Sequence, residues 1–328
     1  MAKRNLFTVG VAGLGLAAGV TAERLVLRRA RRRGDTESAP EESASRRSGH
    51  FVTTDRAELH LVESGEGRPM VLVHGVALSS RCWHNQLADL SLHARVIAYD
   101  QRGHGDSDVG RQGLSLGRLG ADLNELLEEL DLFDAVLVGH SLGGMVALRM
   151  LADHPKLAAP GGRVGALALV ATSATPAAGR GIPGAKALLA ATQPVAGSAA
   201  WLASRLPGHT LPRSDMAFVL ARMVFGSAPS AANVELTRQI TSRIPLGVSA
   251  ELVLEIMRFD AAATLSAIDL PTTIVVGTHD LMTPVRHARA LVSSIPSAEL
   301  VELPGCGHMP MLERRVEFNS LLRELLER

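Results

Sequence analysis

The feature that most constrains this chain is a rhythm. From residue 50 to the C-terminus, short apolar runs recur, and most are followed by a turn and then by a segment with helical periodicity. PMVLV at 69–73, RVIAY at 95–99, DAVLV at 134–138, VGALALVA at 164–171 and TTIVV at 272–276 are nearly continuous apolar stretches, as expected for strands buried on both faces. AELVEL at 298–303 reads as a last strand, and residues 50–62 as two antiparallel strands turning at Asp55-Arg56. Segments 79–90, 116–132, 142–154 and 285–295 carry apolar residues at helical spacing, and 317–327 closes the chain as a helix. In one of them Leu116, Leu119, Leu123, Leu126, Leu127 and Leu130 share a face. Strands alternating with helices predict an α/β fold, with a mostly parallel central sheet flanked by helices.

Residues 177–270 interrupt the rhythm. They contain no strand pattern but offer helical segments at 185–192, 199–205, 214–225, 234–242 and 249–259. A stretch this long between two strands exceeds any ordinary loop. It is expected to form a helical cap on a core made of 50–176 and 271–328.

Of 328 residues, 46% are hydrophobic and 20% charged, which excludes a disordered chain. The net charge of +1 hides a split. Residues 1–48 hold ten Lys/Arg against five Asp/Glu, a balance of +5, so the remaining body is acidic by four charges. Nucleic acid is therefore not an expected partner. Cys82 and Cys306 are the only cysteines, too few for a disulfide scaffold or a Cys-rich zinc module. No histidine–carboxylate spacing demands a metal, and GLGLAAG at 13–19 follows no strand, so neither metal nor cofactor is implied. No protein partner is implied either.

The first 33 residues stand apart. Residues 6–22 carry no charge and lie between Lys3-Arg4 and a run of arginines from Arg24 to Arg33. The segment is at the short end of what crosses a bilayer, and the heavier positive flank would keep the body on the cytoplasmic side. A membrane anchor with the folded body on the cytoplasmic side is the expectation. Cleavage after Ala22 with secretion, and association with the membrane surface, are the alternatives. Residues 34–49 are small, polar and charged and read as a flexible linker.

The chemistry-bearing residues sit at the ends of strands. Gly139-His140-Ser141-Leu142-Gly143 follows DAVLV directly and opens a helix. The pentapeptide alone is weak evidence. Between strand and helix it implies a tight turn that stands the Ser141 hydroxyl clear of the backbone at a helix N-terminus. A serine hydroxyl needs a base, and the base needs an orienting carboxylate. His308 follows AELVEL and Asp280 follows TTIVV, both on the edge where the loops of a parallel sheet converge. Amides of Val76, after PMVLV, and of Leu142 are candidates for an oxyanion hole. His74 shapes the loop or lines the pocket. Met216, Phe218, Met223, Phe225, Met257 and Phe259 are either pocket walls or the core of the cap. His140 is expected to be structural and to point away from the serine. Asp100, Arg102 and His104 read as a held turn, and Cys306 as a packing residue.

Five stretches then acquire meaning together: HGVALSS at 74–80, DQRGHGDS at 100–107, GHSLGG at 139–144, GTHDLMTP at 277–284 and PGCGHMPMLE at 304–313. In this order they resemble the α/β-hydrolase superfamily over residues 50–328. The nearest likeness is to the serine branch with a helical cap, which includes esterases, haloperoxidase-like enzymes and carbon–carbon bond hydrolases. The resemblance implies catalysis by Ser141, Asp280 and His308 on a small acyl substrate, with perhydrolase or carbon–carbon hydrolase activity, or ligand binding without catalysis, as alternatives. Branches with an aspartate nucleophile are disfavoured by Ser141. Those that also use tyrosines are disfavoured because Tyr99 is the sole tyrosine.

Overall fold

The computed structural model describes residues 46–175 and 221–328. Eight strands form one sheet: β1 (Arg47–Val52), β2 (Glu58–Ser64), β3 (Pro69–Val73), β4 (Arg95–Tyr99), β5 (Ala135–His140), β6 (Val164–Val170), β7 (Thr272–Gly277) and β8 (Ala298–Leu303). Their spatial order is β1-β2-β4-β3-β5-β6-β7-β8. β1–β2 and β2–β4 are antiparallel, and every other pairing is parallel. The chain thus builds outward in both directions from β3, and the loops after β3 and β5 meet at the switch point between them.

The apolar runs are continuous because both faces of the sheet are covered. Val71 and Val73 of β3 pack into one apolar layer, and Met70 and Leu72 into the other. The described helices are α1 (His84–Asp89), α2 (Leu116–Glu129), α3 (Leu142–Asp153), α4 (Ala231–Thr241), α5 (Leu246–Arg258), α6 (Val285–Val292), α7 (Pro310–Glu313) and α8 (Arg315–Leu326). In α2 the leucine stripe from Leu116 to Leu127 is buried in the first layer. Ser115 caps its N-terminus, accepting the Arg118 N–H at 3.1 Å.

One boundary differs from the sequence reading. β1 starts at Arg47, inside the stretch read as linker and before the folded body was expected to begin. It is an edge strand with mostly solvent-facing residues, so its pairing rests on backbone bonds and polar contacts such as Ser48 Oγ to His60 Nε2 at 2.9 Å. The strand read over residues 50–54 is therefore present, with Phe51 in the core, and only its mostly exposed start at Arg47–Gly49 carries no hydropathy signal. Between β6 and β7, the described part of the insertion holds α4 and α5 and no strand. The segments expected at 185–192 and 199–205, and most of 214–225, lie outside the described residues.

The apolar run at 6–22 also lies outside them. Among the described residues no helix is long and apolar enough to cross a membrane. The longest, α2, has 14 residues, which spans about 21 Å, against roughly 30 Å of bilayer hydrocarbon. The expected membrane-anchored placement is corrected on this ground.

Candidate active site

The turn from β5 into α3 holds Ser141 at φ 53° and ψ −116°, a conformation that side chains rarely adopt. Close packing enforces it. A Cβ on Gly143 would lie 2.1 Å from the Val73 carbonyl oxygen, and one on Gly139 would lie 2.6 Å from the Gly144 Cα. The Ser141 N–H donates to Val170 O at 2.9 Å, and its carbonyl accepts from Thr172 Oγ1 at 2.7 Å. The turn is thereby tied to β6. Ser141 is 8% exposed, at the positive end of α3.

Asp280 and His308 come from the loops after β7 and β8, on the same edge of the sheet. Asp280 Oδ2 accepts from His308 Nδ1 at 2.8 Å and from Thr283 Oγ1 at 2.8 Å. Its Oδ1 accepts the N–H groups of Met282 and Thr283 at 2.8 and 3.0 Å. Burial works to raise the Asp280 pKa, but the His308 bond and charge and the Thr283 bonds prevail and bring it down to about 2. With Nδ1 taken by an ionised carboxylate, the other ring nitrogen is the one left for proton exchange.

The loop after β3 is fixed from behind by two buried imidazoles. His74 Nδ1 donates to the Gly75 carbonyl at 2.7 Å, while its Nε2 accepts the Gln101 N–H at 3.0 Å. His104 Nδ1 donates to the Arg102 carbonyl at 3.1 Å, and its Nε2 accepts the Ala77 N–H at 3.1 Å. Burial, with His74 nearby, takes the His104 pKa down to about 3, so the ring is neutral and able to accept. The Ala77 amide is therefore committed to His104. The Val76 amide takes no part in the backbone bonds of the loop, and Leu142, as the first residue of α3, has no intrahelical acceptor.

These pieces share one cavity of about 360 Å³, walled by Val76, Leu78, His140, Ser141, Met223, Val224, Met282, His308 and Met309 among others. Aside from the two imidazoles, no described wall residue is ionisable. Met223, Leu281 and Met282 give it an apolar, solvent-facing rim, at 58%, 77% and 52% exposure.

The other pocket candidates are placed elsewhere. His74 is fully buried behind the loop and does not reach the cavity. Phe225 and Phe259 belong to the two apolar layers, and Met257 is not in the cavity wall. Met216 and Phe218 lie outside the described residues. His140, expected to point away, is part of the wall, and its Nε2 donates to the His308 carbonyl at 2.7 Å. Sequence reasoning missed Leu78, Val224, Met282 and Met309. All are apolar neighbours of residues it had singled out, which was the available signal.

Arg102 is buried between Asp55 and Asp122, with Nη2 to Asp55 Oδ1 at 3.0 Å and Nε to Asp122 Oδ2 at 2.5 Å. It locks the turn rather than facing the cavity. His60, Asp100 and Asp106 offer ligand atoms within 4.8 Å of one another, a set that could hold a cation. The Asp100 oxygens, however, already accept from His60 Nδ1, Ser80 N and Asp106 N at 3.0, 2.6 and 3.0 Å, which accounts for the cluster as a hydrogen-bonded turn. Cys306 is 1% exposed, and burial pushes its thiol pKa far up, so it stays protonated.

The sheet order and the loops converging on Ser141 define an α/β-hydrolase. The chain belongs to the family described as alpha/beta hydrolase fold, whose profile matches residues 68–315, and it is an enzyme of that class. It is similar to a thermophilic esterase from Thermogutta terrifontis, with 27% identity, a TM-score of 0.70, and 86% of this chain and 98% of that one covered. It is likewise similar to the esterase RhEst1 from Rhodococcus sp. ECU1013, with 26% identity, a TM-score of 0.69, and coverage of 85% and 98%. Among curated relatives, the AB hydrolase superfamily protein YisY of Bacillus subtilis is 26% identical over 284 residues, 84% of this chain and 98% of the relative.

Proposed function

We propose that this α/β-hydrolase cleaves a carboxylic ester or related acyl compound through an acyl-enzyme on Ser141. The observation that carries the reading is the Asp280–His308 bond of 2.8 Å, with His308 and Ser141 in the wall of one cavity. His308 takes the Ser141 proton through the ring nitrogen not held by Asp280. The freed oxygen attacks the substrate carbonyl, and the amides of Val76 and Leu142 donate to the developing oxyanion. Each such donor is worth about 3 kcal/mol to the transition state. His308 then protonates the departing alkoxide, which leaves as an alcohol. Water, deprotonated by His308, attacks the acyl-enzyme, and Ser141 recovers its proton as the acid departs.

The wall points to the substrate class. Among the described residues the cavity wall offers a charged tail no ionisable partner beyond two histidines, and burying an unpaired charge is costly. Uncharged, apolar acyl and alcohol groups suit it. Two esterases at more than 25% identity support the same class of reaction. The inserted helices α4 and α5, with Met223 and Val224 ahead of them, act as the cap that shapes this space.

The test is rapid mixing with p-nitrophenyl butyrate. Wild-type protein should release p-nitrophenolate and Ser141→Ala should not. Comparable release by both proteins would rule the reading out. Chargeless short-chain esters should also be preferred over esters that carry a free carboxylate.

A further inference from the structure

Glu313 lies outside the machinery described so far, yet it reaches two segments that meet at His308. Its Oε2 accepts the Gly226 N–H at 2.7 Å, and its Oε1 accepts the Gly307 N–H at 2.9 Å. The Met309 N–H approaches the same Oε1 at 3.4 Å. Gly307 and Met309 flank His308 in sequence, whereas Gly226 belongs to the insertion that precedes α4. The two segments also bond directly. The His308 N–H donates to the Val224 carbonyl at 2.7 Å, and the Ser227 N–H to the Gly305 carbonyl at 3.2 Å. They touch backbone to backbone: a Cβ on Gly226 would fall 2.1 Å from Gly305 O, and one on Gly307 would fall 2.3 Å from Gly226 N.

We propose that Glu313 is a positioning residue for His308, holding the Val224–Ser227 segment against the loop that carries the imidazole. The proposal rests on the ester-hydrolase reading above. Glu313 is absent from the described cavity wall. Val224, by contrast, both lines the cavity and accepts the His308 N–H, so whatever sets this segment sets the base as well. Desolvation raises the Glu313 pKa, so its ionised form is kept there at a cost. The backbone N–H groups turned on it offset part of that cost, and what they gain is a fixed loop. The Glu313 carboxylate therefore serves placement of the base, because an error of about 1 Å in a catalytic group can slow a reaction by about 100-fold.

The experiment compares wild type with Glu313→Gln, which keeps the volume but replaces one acceptor oxygen by an N–H₂ group. Turnover of p-nitrophenyl butyrate is normalised to sites titrated with a fluorophosphonate. We expect kcat to fall by about 10- to 100-fold with KM within about twofold, and fluorophosphonate labelling to slow in parallel. Glu313→Asp, too short to span both segments, should repeat the loss if the first variant folds poorly. Normalised turnover and labelling at the wild-type rate in either folded variant would overturn the proposal, since a role in stability alone lowers the number of active sites and not their rate. A wild-type protein inert to ester and probe would instead overturn the hydrolase reading. Deuterium exchange at Gly226 and Gly307 in wild type then judges the clamp by itself: slow exchange keeps it, and exchange within seconds removes it.

Discussion

His140 Nε2 donates to the backbone carbonyl of His308 at 2.7 Å, so the residue preceding Ser141 is bonded to the residue proposed as its base. The same ring packs edge-on against Trp83 at 6.4 Å, and Trp83 stacks on Phe318. One imidazole thus joins the turn after β5, the loop after β8 and the second apolar layer. His140→Ala would open a cavity and orphan a buried carbonyl. A loss of about 2–4 kcal/mol is expected in urea unfolding, with no loss as the contrary result.

The buried histidines set an acid limit on stability. His104 and His140 both have pKa values lowered from 6.5 to about 3, first by burial and then by neighbouring histidines. Between those values the unfolded chain binds protons that the folded chain does not. Stability is therefore complete above 6.5 and falls as pH drops toward 3, by up to about 1.4 kcal/mol per pH unit for each ring. Unfolding midpoints measured from pH 7 to 4 should decline, and His104→Gln should flatten the slope. A midpoint independent of pH over that range would contradict the placement of both rings.

Asp280, with its pKa down to about 2, stays ionised through the working range. The depressed value means that its bonds stabilise the fold above the usual carboxylate pKa and lose that contribution as pH falls from 3.8 to about 2. Asp280→Asn should lower kcat by about 10⁴-fold, because the amide favours the wrong imidazole tautomer. A pH–rate profile of wild type should show no inflection from Asp280 above pH 4. An Asn variant within tenfold of wild type would remove Asp280 from the proposed role.

Arg102, completely buried, holds Asp55 and Asp122 together. Its bond to Asp55 keeps that carboxyl well below the usual range. Arg102→Met leaves two buried carboxylates without their shared cation. It should cost about 3–5 kcal/mol in chemical denaturation, and a change within 0.5 kcal/mol, about the usual size for surface substitutions, would show the pair to be dispensable.

What sequence could and could not reveal follows from how each feature is encoded. β3, β5 and β7 are written as unbroken apolar runs, and the α2 leucines as a period, so their places were readable. Because β5, β7 and β8 run parallel, the residues that follow them, Ser141, Asp280 and His308, had to stand on one edge, whatever else was unknown. β1 was readable only from residue 50, where Phe51 turns to the core; its mostly exposed start at Arg47–Gly49 is held by backbone pairing and carries no such pattern. The faces of the insertion were also illegible: Met223 opens to the cavity rim while Phe225, two residues on, is core. Glu313 bonds to the Gly226 N–H and His140 to the His308 carbonyl, both far away in sequence, and backbone groups look the same at every position.

The most direct measurement is the intact mass of wild-type protein after reaction with a fluorophosphonate, followed by peptide mapping of the adduct. One phosphonyl group per chain is expected, on the peptide containing Ser141, with none on Ser141→Ala and a much slower reaction in His308→Ala. An adduct on any other residue, or equal labelling of wild type and Ser141→Ala, would contradict catalysis through Ser141.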